Sequence, residues 1–108
     1  MAMPGVGRYV KMTAKAGQGE ELARILLDVA GSLAETPGCE LYVINRSPTE
    51  PDAVWVTELW RSQDELDGSL RELNTEAGRA RMAEVMRLLE GAPERIDLEP
   101  LGGVGHSG

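Results

Sequence analysis

The apolar residues of this chain change their spacing along its length in a fixed order, and that order limits the folds open to it. Strand-like alternation is predicted at about 8–14, 40–46, 53–60 and 95–99. Helical spacing is predicted at about 20–35, 63–73 and 75–90. The order β-α-β-β-α-β, with the second helical region in two pieces, predicts a ferredoxin-like α+β fold with a four-stranded antiparallel sheet.

Turn and capping residues support these boundaries. Thr36-Pro37-Gly38 ends the first helix, and the polar, proline-rich segment at 47–52 is a hairpin loop. Ser62 to Glu65 fits a capping box in which the Glu65 side chain returns to the Ser62 backbone N–H. Asn74-Thr75 indicates a kink or restart between two helical pieces. The glycine-rich end at 101–108 is expected to be a flexible tail.

Alternation assigns the third strand to two faces of the sheet. Val54, Val56, Glu58 and Trp60 point to one face, and Trp55, Thr57 and Leu59 point to the other. The first set is expected to meet the helices. The second set, with Tyr9 and either Leu41 or Val43, is too apolar to face water, so a homodimer through the open sheet face is expected.

Composition excludes several classes of partner. At 108 residues the chain is long enough for one domain, 1–108, with a modest core. A net charge of −7 argues against binding to nucleic acid or to an anionic membrane surface, because both need a basic surface. No apolar run is long enough to span a membrane, and the first residues lack a signal-peptide pattern. The single cysteine, Cys39, favours a cytoplasmic location.

Few residues have the side-chain chemistry of a metal, flavin or nucleophilic site. The single histidine, His106, lies in the glycine-rich tail, and an unstructured position is commoner there than a catalytic one. Cys39 has no histidine to act as its base, so an inert thiol is expected. No cluster has metal-ligand spacing. The expectation is a protein without metal, flavin or haem.

Four segments together resemble the antibiotic biosynthesis monooxygenase family of small cofactor-free quinol and anthrone oxygenases. They are AKAG at 14–17, the first helix, ETPGCELYVINR at 35–46, and ELWRSQDELDGSL at 58–70. In that family a Glu-x-Trp closes the third strand, and a Ser-x-x-x-Leu opens the next helix. The resemblance implies a dimeric α/β-barrel, with a pocket between each sheet and its helices.

The chain departs from that family's pattern at two places. Members often carry a histidine in the helix after Glu-x-Trp, where this chain has Ser69. The haem-degrading relatives need an asparagine on the first strand and a histidine on the later helix, and neither residue is present here. Haem degradation is therefore not expected.

Oxygenation without a cofactor remains open to such a chain, because an electron-rich phenol, hydroquinone or anthrone can pass an electron to O2 itself. The protein would bind a flat apolar ring, exclude water and favour the anion. The resemblance places the chemistry at Glu58, as a base, and at Trp60, as a pocket wall. The predicted substrate-binding residues are Tyr42, Asn45, Val56, Ser69, Met82 and Met86.

Each of these residues also has a structural interpretation. Glu58 is either a base of raised pKa or a structural acid paired with a neighbouring strand, Arg8 or Lys11, and buried acids are usually paired. Trp60 and the methionines could be core residues. The fold alone leaves two other functions open, a non-catalytic dimeric small-molecule-binding domain and a cofactor-free polyketide isomerase or cyclase.

Overall fold

The computed structural model describes residues 5–104 and contains seven helices and strands in the predicted order. The strands are β1 (Val6–Thr13), β2 (Cys39–Arg46), β3 (Ala53–Trp60) and β4 (Glu94–Leu98). The helices are α1 (Gly19–Ser32), α2 (Gln63–Leu73) and α3 (Glu76–Leu88). The helix predicted at 20–35 therefore ends three residues early, and residues 33–35 form a turn before Pro37.

The four strands form one antiparallel sheet in the order β2-β3-β1-β4. This is the ferredoxin-like arrangement, so the predicted fold class is confirmed. In the register of the sheet, Glu58 of β3 lies opposite Arg8 of β1 and opposite Tyr42 of β2. Arg8 in turn lies opposite Asp97 of β4. These four side chains form one row across the face that the helices cover.

The hydrophobic core lies between the sheet and the helices. From the sheet it takes Val10, Val54 and Val56, which alternate with outward-facing neighbours. Helices α1 and α3 contribute Leu22, Ile25, Leu26, Val85 and Leu88, and Leu89 follows directly after α3. The prediction that Val54, Val56, Glu58 and Trp60 share the inner face agrees with their burial, since all four are buried.

Helix starts follow the predicted capping residues. The Ser62 hydroxyl accepts a hydrogen bond from the backbone N–H of Glu65 at 3.2 Å. The Glu65 carboxylate accepts from the Ser62 hydroxyl and pairs with Arg61, rather than returning to the Ser62 backbone. Thr75 caps α3 through the backbone N–H of Gly78 at 3.1 Å, so the predicted restart is a helix boundary.

The outer face of the sheet carries the apolar residues that alternation predicted. Tyr9 and Trp55 stack with ring centroids 5.6 Å apart, and the Lys11 ammonium lies 4.8 Å from the centroid of the Trp55 ring. Large aliphatic side chains are exposed on the other strands of this face: Leu41, Val43, Ile96 and Leu98. In the described chain the face therefore presents a largely apolar surface to solvent, with polar residues such as Lys11 and Asn45 towards one end.

Two further sequence predictions concern the glycine-rich tail and membrane-spanning segments. Residues 101–104 form no helix or strand, and the rest of the predicted tail, with His106, lies outside the described residues. Over residues 5–104, no helix combines the length and the apolar character needed to cross a membrane.

Candidate active site

A cavity of about 590 Å³ lies between the sheet and the helices. Residues from all four strands and all three helices line it. Its wall is largely apolar, with Val10, Met12, Leu26, Val29, Leu33, Trp60, Leu66, Leu70, Leu73, Met82 and Val85. Its volume lies within the roughly 300–1,000 Å³ of small-molecule sites. The cavity can therefore hold a ligand of one to a few fused rings.

Glu58 and Trp60 form a hydrogen-bonded pair in the wall of this cavity. Residues two apart on a strand point to the same face about 7 Å apart, a gap that two long side chains can close. The Trp60 indole N–H donates to Oε1 of Glu58 at 3.0 Å, and the bond is buried. Trp60 is only 1% exposed. The pair places a carboxyl group at a fixed position beside a flat aromatic wall.

Burial raises the pKa of the Glu58 carboxyl above its ordinary value, because the charged form loses solvation. The hydrogen bond from Trp60 and the positive charge of Arg8 both favour the carboxylate and oppose part of this rise. The structural alternative that paired Glu58 with Lys11 is wrong. Lys11 lies on the outer face, where it pairs with Glu50 at 3.6 Å.

The raised pKa of Glu58 predicts that this residue makes stability depend on pH. Because the folded state holds the proton more tightly than the unfolded chain, Glu58 favours folding at low pH. That contribution is lost as the pH rises through the folded-state pKa. Glutamine is neutral, and its side-chain oxygen can still accept the hydrogen bond from Trp60. We therefore expect the Glu58→Gln protein to melt at a higher temperature than wild type at about pH 7 to 8. Below the ordinary pKa of a glutamate the difference should vanish.

Thermal denaturation of both proteins across this pH range tests the prediction. Glu84→Gln, at an exposed position on α3, is the matched control and should follow wild type throughout. A Glu58→Gln variant that is less stable than wild type at neutral pH would show that the carboxylate is held by favourable pairing instead.

Tyr42 and Ser69 bring two hydroxyl groups to the cavity. Tyr42 lies opposite Glu58 on β2, and burial raises the pKa of its phenol, with the Glu58 charge adding to the rise. Tyr42 therefore stays protonated and can donate a hydrogen bond. Ser69 is buried on α2 and donates to the Leu66 carbonyl at 2.7 Å, so its oxygen is left to accept.

The structure separates three predicted residues from the cavity. Asn45 lies on the outer face of β2, where its amide donates to the Trp55 carbonyl at 3.2 Å. Met86 is 49% exposed on α3, because the buried stripe of that helix runs through Val85 and Leu88. Val56 is buried in the core beneath the cavity and does not line it. Met82 does line it.

Three arginines outside the predicted set of site residues line the cavity: Arg8, Arg81 and Arg95. Alternation could have identified the first, because Arg8 shares its side of β1 with Val10 and Met12. Helical spacing places Arg81 four residues before Val85 and seven before Leu88, on the buried stripe of α3, whereas β4 is too short to show alternation clearly.

Among residues 5–104, the remaining reactive groups form no second site. Burial raises the pKa of the Cys39 thiol, with the Glu58 charge adding to the rise, so the thiol is protonated at neutral pH. Within residues 5–104, no group of three or more His, Cys, Asp or Glu residues is placed to hold a metal ion.

Comparisons with known proteins agree with this architecture. A sequence model of the antibiotic biosynthesis monooxygenase family matches residues 6–81. A Chloroflexus aurantiacus protein, provisionally described as an antibiotic biosynthesis monooxygenase, is 32% identical with a TM-score of 0.76. The match covers 92% of this chain and 95% of that one. A Caulobacter crescentus protein with the same provisional description is 27% identical with a TM-score of 0.78, covering 93% and 92%.

A more distant structure shares the fold. A mutant of SnoaB, a cofactor-independent oxygenase from Streptomyces nogalater, is 15% identical with a TM-score of 0.76, covering 94% of this chain and 97% of that one. Among the curated proteins, no match was found.

Proposed function

Because this chain belongs to the antibiotic biosynthesis monooxygenase family, we propose that it is a cofactor-independent monooxygenase. Its substrate is an electron-rich aromatic, a hydroquinone or an anthrone such as a polyketide intermediate, which it oxidises to a quinone with O2. The observation that carries this proposal is the hydrogen-bonded pair of Glu58 and Trp60 in the wall of an apolar cavity. A base and a flat binding surface are what such a substrate requires.

Glu58 acts as the general base in this proposal. Its raised pKa makes the carboxylate a stronger base than an exposed glutamate. It removes a proton from the substrate, and the resulting anion passes one electron to O2. The substrate radical and superoxide then combine to a peroxide anion, which takes the proton back from Glu58.

Loss of water completes the reaction. The O–O bond of the peroxide breaks, and the carbon that carries the peroxide loses its remaining hydrogen as a proton. That carbon becomes a carbonyl of the quinone. One oxygen atom of O2 enters the product and the other leaves as water. All of the electrons come from the substrate, so the residues need only bind, deprotonate and shield it.

The other cavity residues position the substrate. Trp60 forms part of the wall against which the ring lies, and Met82 provides a flexible opposite wall. Tyr42, held protonated, donates to a substrate oxygen, and Ser69 accepts from a hydroxyl group. Val56 supports the floor from the core, while Asn45 and Met86 have no part in binding.

An oxygen electrode and a panel of naphthohydroquinones and anthrones test the proposed function. We expect the protein to accelerate O2 consumption over the protein-free rate for at least one member of the panel. A rate equal to the protein-free rate across the panel would favour a non-catalytic binding domain.

We also propose that the chain forms a homodimer through the outer face of the sheet. The apolar surface built from Tyr9, Trp55, Leu59, Ile96 and Leu98 supports it, because monomeric proteins rarely expose continuous apolar patches. A second copy would cover this surface and close the two sheets into a barrel.

A charge placed on this face should separate the subunits. Ile96 is 56% exposed in the single chain, so Ile96→Glu would cost an isolated monomer little. In a dimer the new carboxylate would be buried without a partner, and we expect dissociation at micromolar concentration. Trp55→Glu should dissociate or unfold the protein for the same reason.

Sedimentation velocity measures the outcome. Leu27→Glu on α1 is the matched control, because Leu27 is 58% exposed and lies on the helix layer, away from the proposed interface. It should leave the dimer intact. A wild-type monomer at micromolar concentration, or an Ile96→Glu dimer, would contradict the proposal.

A further inference from the structure

We infer that the substrate of this cavity is an aromatic acid, whose carboxylate binds Arg8, Arg81 and Arg95 while its ring occupies the apolar part. This inference rests on the proposed function, because it takes the aromatic ring to be the part of the substrate that reacts. It adds the chemical class of the substrate and the residues that select it.

The charge of the cavity is opposite to that of the protein. Three arginines line it, and among the described residues of its wall Glu58 is the single acid. The protein as a whole carries a net charge of −7. In an acidic protein, a cavity whose lining is basic favours an anionic ligand over a neutral or cationic one.

Arg8 is largely withdrawn from solvent. Its side chain is 15% exposed, and its Nε is buried. Within residues 5–104, no acceptor lies within hydrogen-bonding distance of that Nε. A buried donor without an acceptor is destabilising, and a ligand oxygen brought to it would relieve that cost.

The nearest acid does not neutralise this group of arginines. Asp97 lies 3.7 Å from Nε of Arg8 and 3.4 Å from Nε of Arg95. It is a single carboxylate, 67% exposed, shared between two guanidinium groups. Arg81 adds a further positive charge from α3. Positive charge therefore remains for a ligand, and a guanidinium fork matches the two oxygens of a carboxylate.

The register of the sheet fixes the orientation of such a ligand. Arg8 stands between Glu58 on β3 and Asp97 on β4, and two strand spacings separate those outer positions by about 10 Å. A substrate carboxylate at the β4 side is therefore shielded from Glu58 by Arg8. The ring then extends towards Glu58 and Trp60, where the proton is removed.

Binding of two matched, unreactive probes tests the inference. 2-Naphthoate and 2-naphthamide have the same ring system, and neither needs O2 or turnover to be measured. By isothermal titration calorimetry we expect the acid to bind about 10- to 100-fold more tightly than the amide, the range of a charge-assisted contact. The double variant Arg8→Gln/Arg95→Gln should lose most of this preference, because only Arg81 of the three arginines remains.

Two further variants keep the test decisive. Arg95→Gln alone, at a half-exposed position, should reduce the preference even if Arg8→Gln fails to fold. Arg87→Gln removes the same charge from an exposed position on α3 outside the cavity, and it should keep the full preference.

The outcomes separate this inference from the proposed function. Equal binding of acid and amide, binding of neither, or a preference unchanged by the cavity variants would overturn it, even if O2 consumption is accelerated. A clear preference for the acid without accelerated O2 consumption would support the inference about the ligand and contradict the proposed oxygenase function. The protein would then be a binding protein for aromatic acids.

Discussion

Replacing Glu58 with glutamine is expected to lower kcat by about 100- to 10,000-fold, the usual contribution of a general base. Glutamine keeps the size of the side chain and can still accept from the Trp60 indole, so the fold and the cavity should be preserved. The effect is therefore one of proton transfer rather than packing. Steady-state O2 consumption measures kcat, and circular dichroism checks the fold.

The pH profile adds an independent measurement. In wild type, the rate should rise with pH through the pKa of Glu58, which burial places above the ordinary glutamate value. Glu58→Gln should lack this rise. An unchanged rate in a folded Glu58→Gln protein would make Glu58 a structural acid and leave the substrate's own acidity to supply the anion.

Replacing Trp60 with alanine is expected to lower the free energy of unfolding by about 3–5 kcal/mol, as for other large aromatic residues removed from a core. Trp60 is almost fully buried, and its loss would also leave the Glu58 carboxyl without its hydrogen-bond donor. This is a large fraction of the roughly 5–15 kcal/mol that stabilises a domain. Urea denaturation measures it. A cost below about 1 kcal/mol would mean that the site is loosely packed.

Trp60→Phe separates packing from hydrogen bonding at the same position. Phenylalanine retains a flat ring but has no N–H to donate to Glu58. Because that hydrogen bond lowers the pKa of Glu58, its removal should raise this pKa and move the rise of the rate profile to higher pH. If the rate of the Trp60→Phe protein rises at the same pH as that of wild type, the hydrogen bond from Trp60 has no influence on the pKa of Glu58.

The sequence was sufficient to predict the parts of the site that depend on strand alternation. The face shared by Glu58 and Trp60 followed from their spacing of two residues, and the structure places both in the cavity wall. The same rule would have excluded Asn45, which lies an odd number of residues from Tyr42 and so points to the other face. It would also have included Arg8.

Other features depend on geometry that spacing cannot supply. Met86 fits the helical period, yet the face of α3 that is buried carries Val85 and Leu88 instead, and α3 packs mainly against α1 and α2. The hydrogen bond from Trp60 to Glu58 depends on side-chain rotamers. The closeness of Arg8 and Arg95 to one carboxylate depends on β4 pairing beside β1, which joins residues far apart in the chain.

In the proposed function, the residues of this chain suffice to insert one oxygen atom of O2 into an aromatic substrate. Chelator-treated protein under isotopically labelled O2, with an anthrone as substrate, provides the test. We predict a quinone formed faster than in the protein-free control, carrying one labelled oxygen atom, and a markedly slower reaction with Glu58→Gln. Quinone formation at the protein-free rate, or activity that is lost with the chelator and restored by a metal, would contradict the claim.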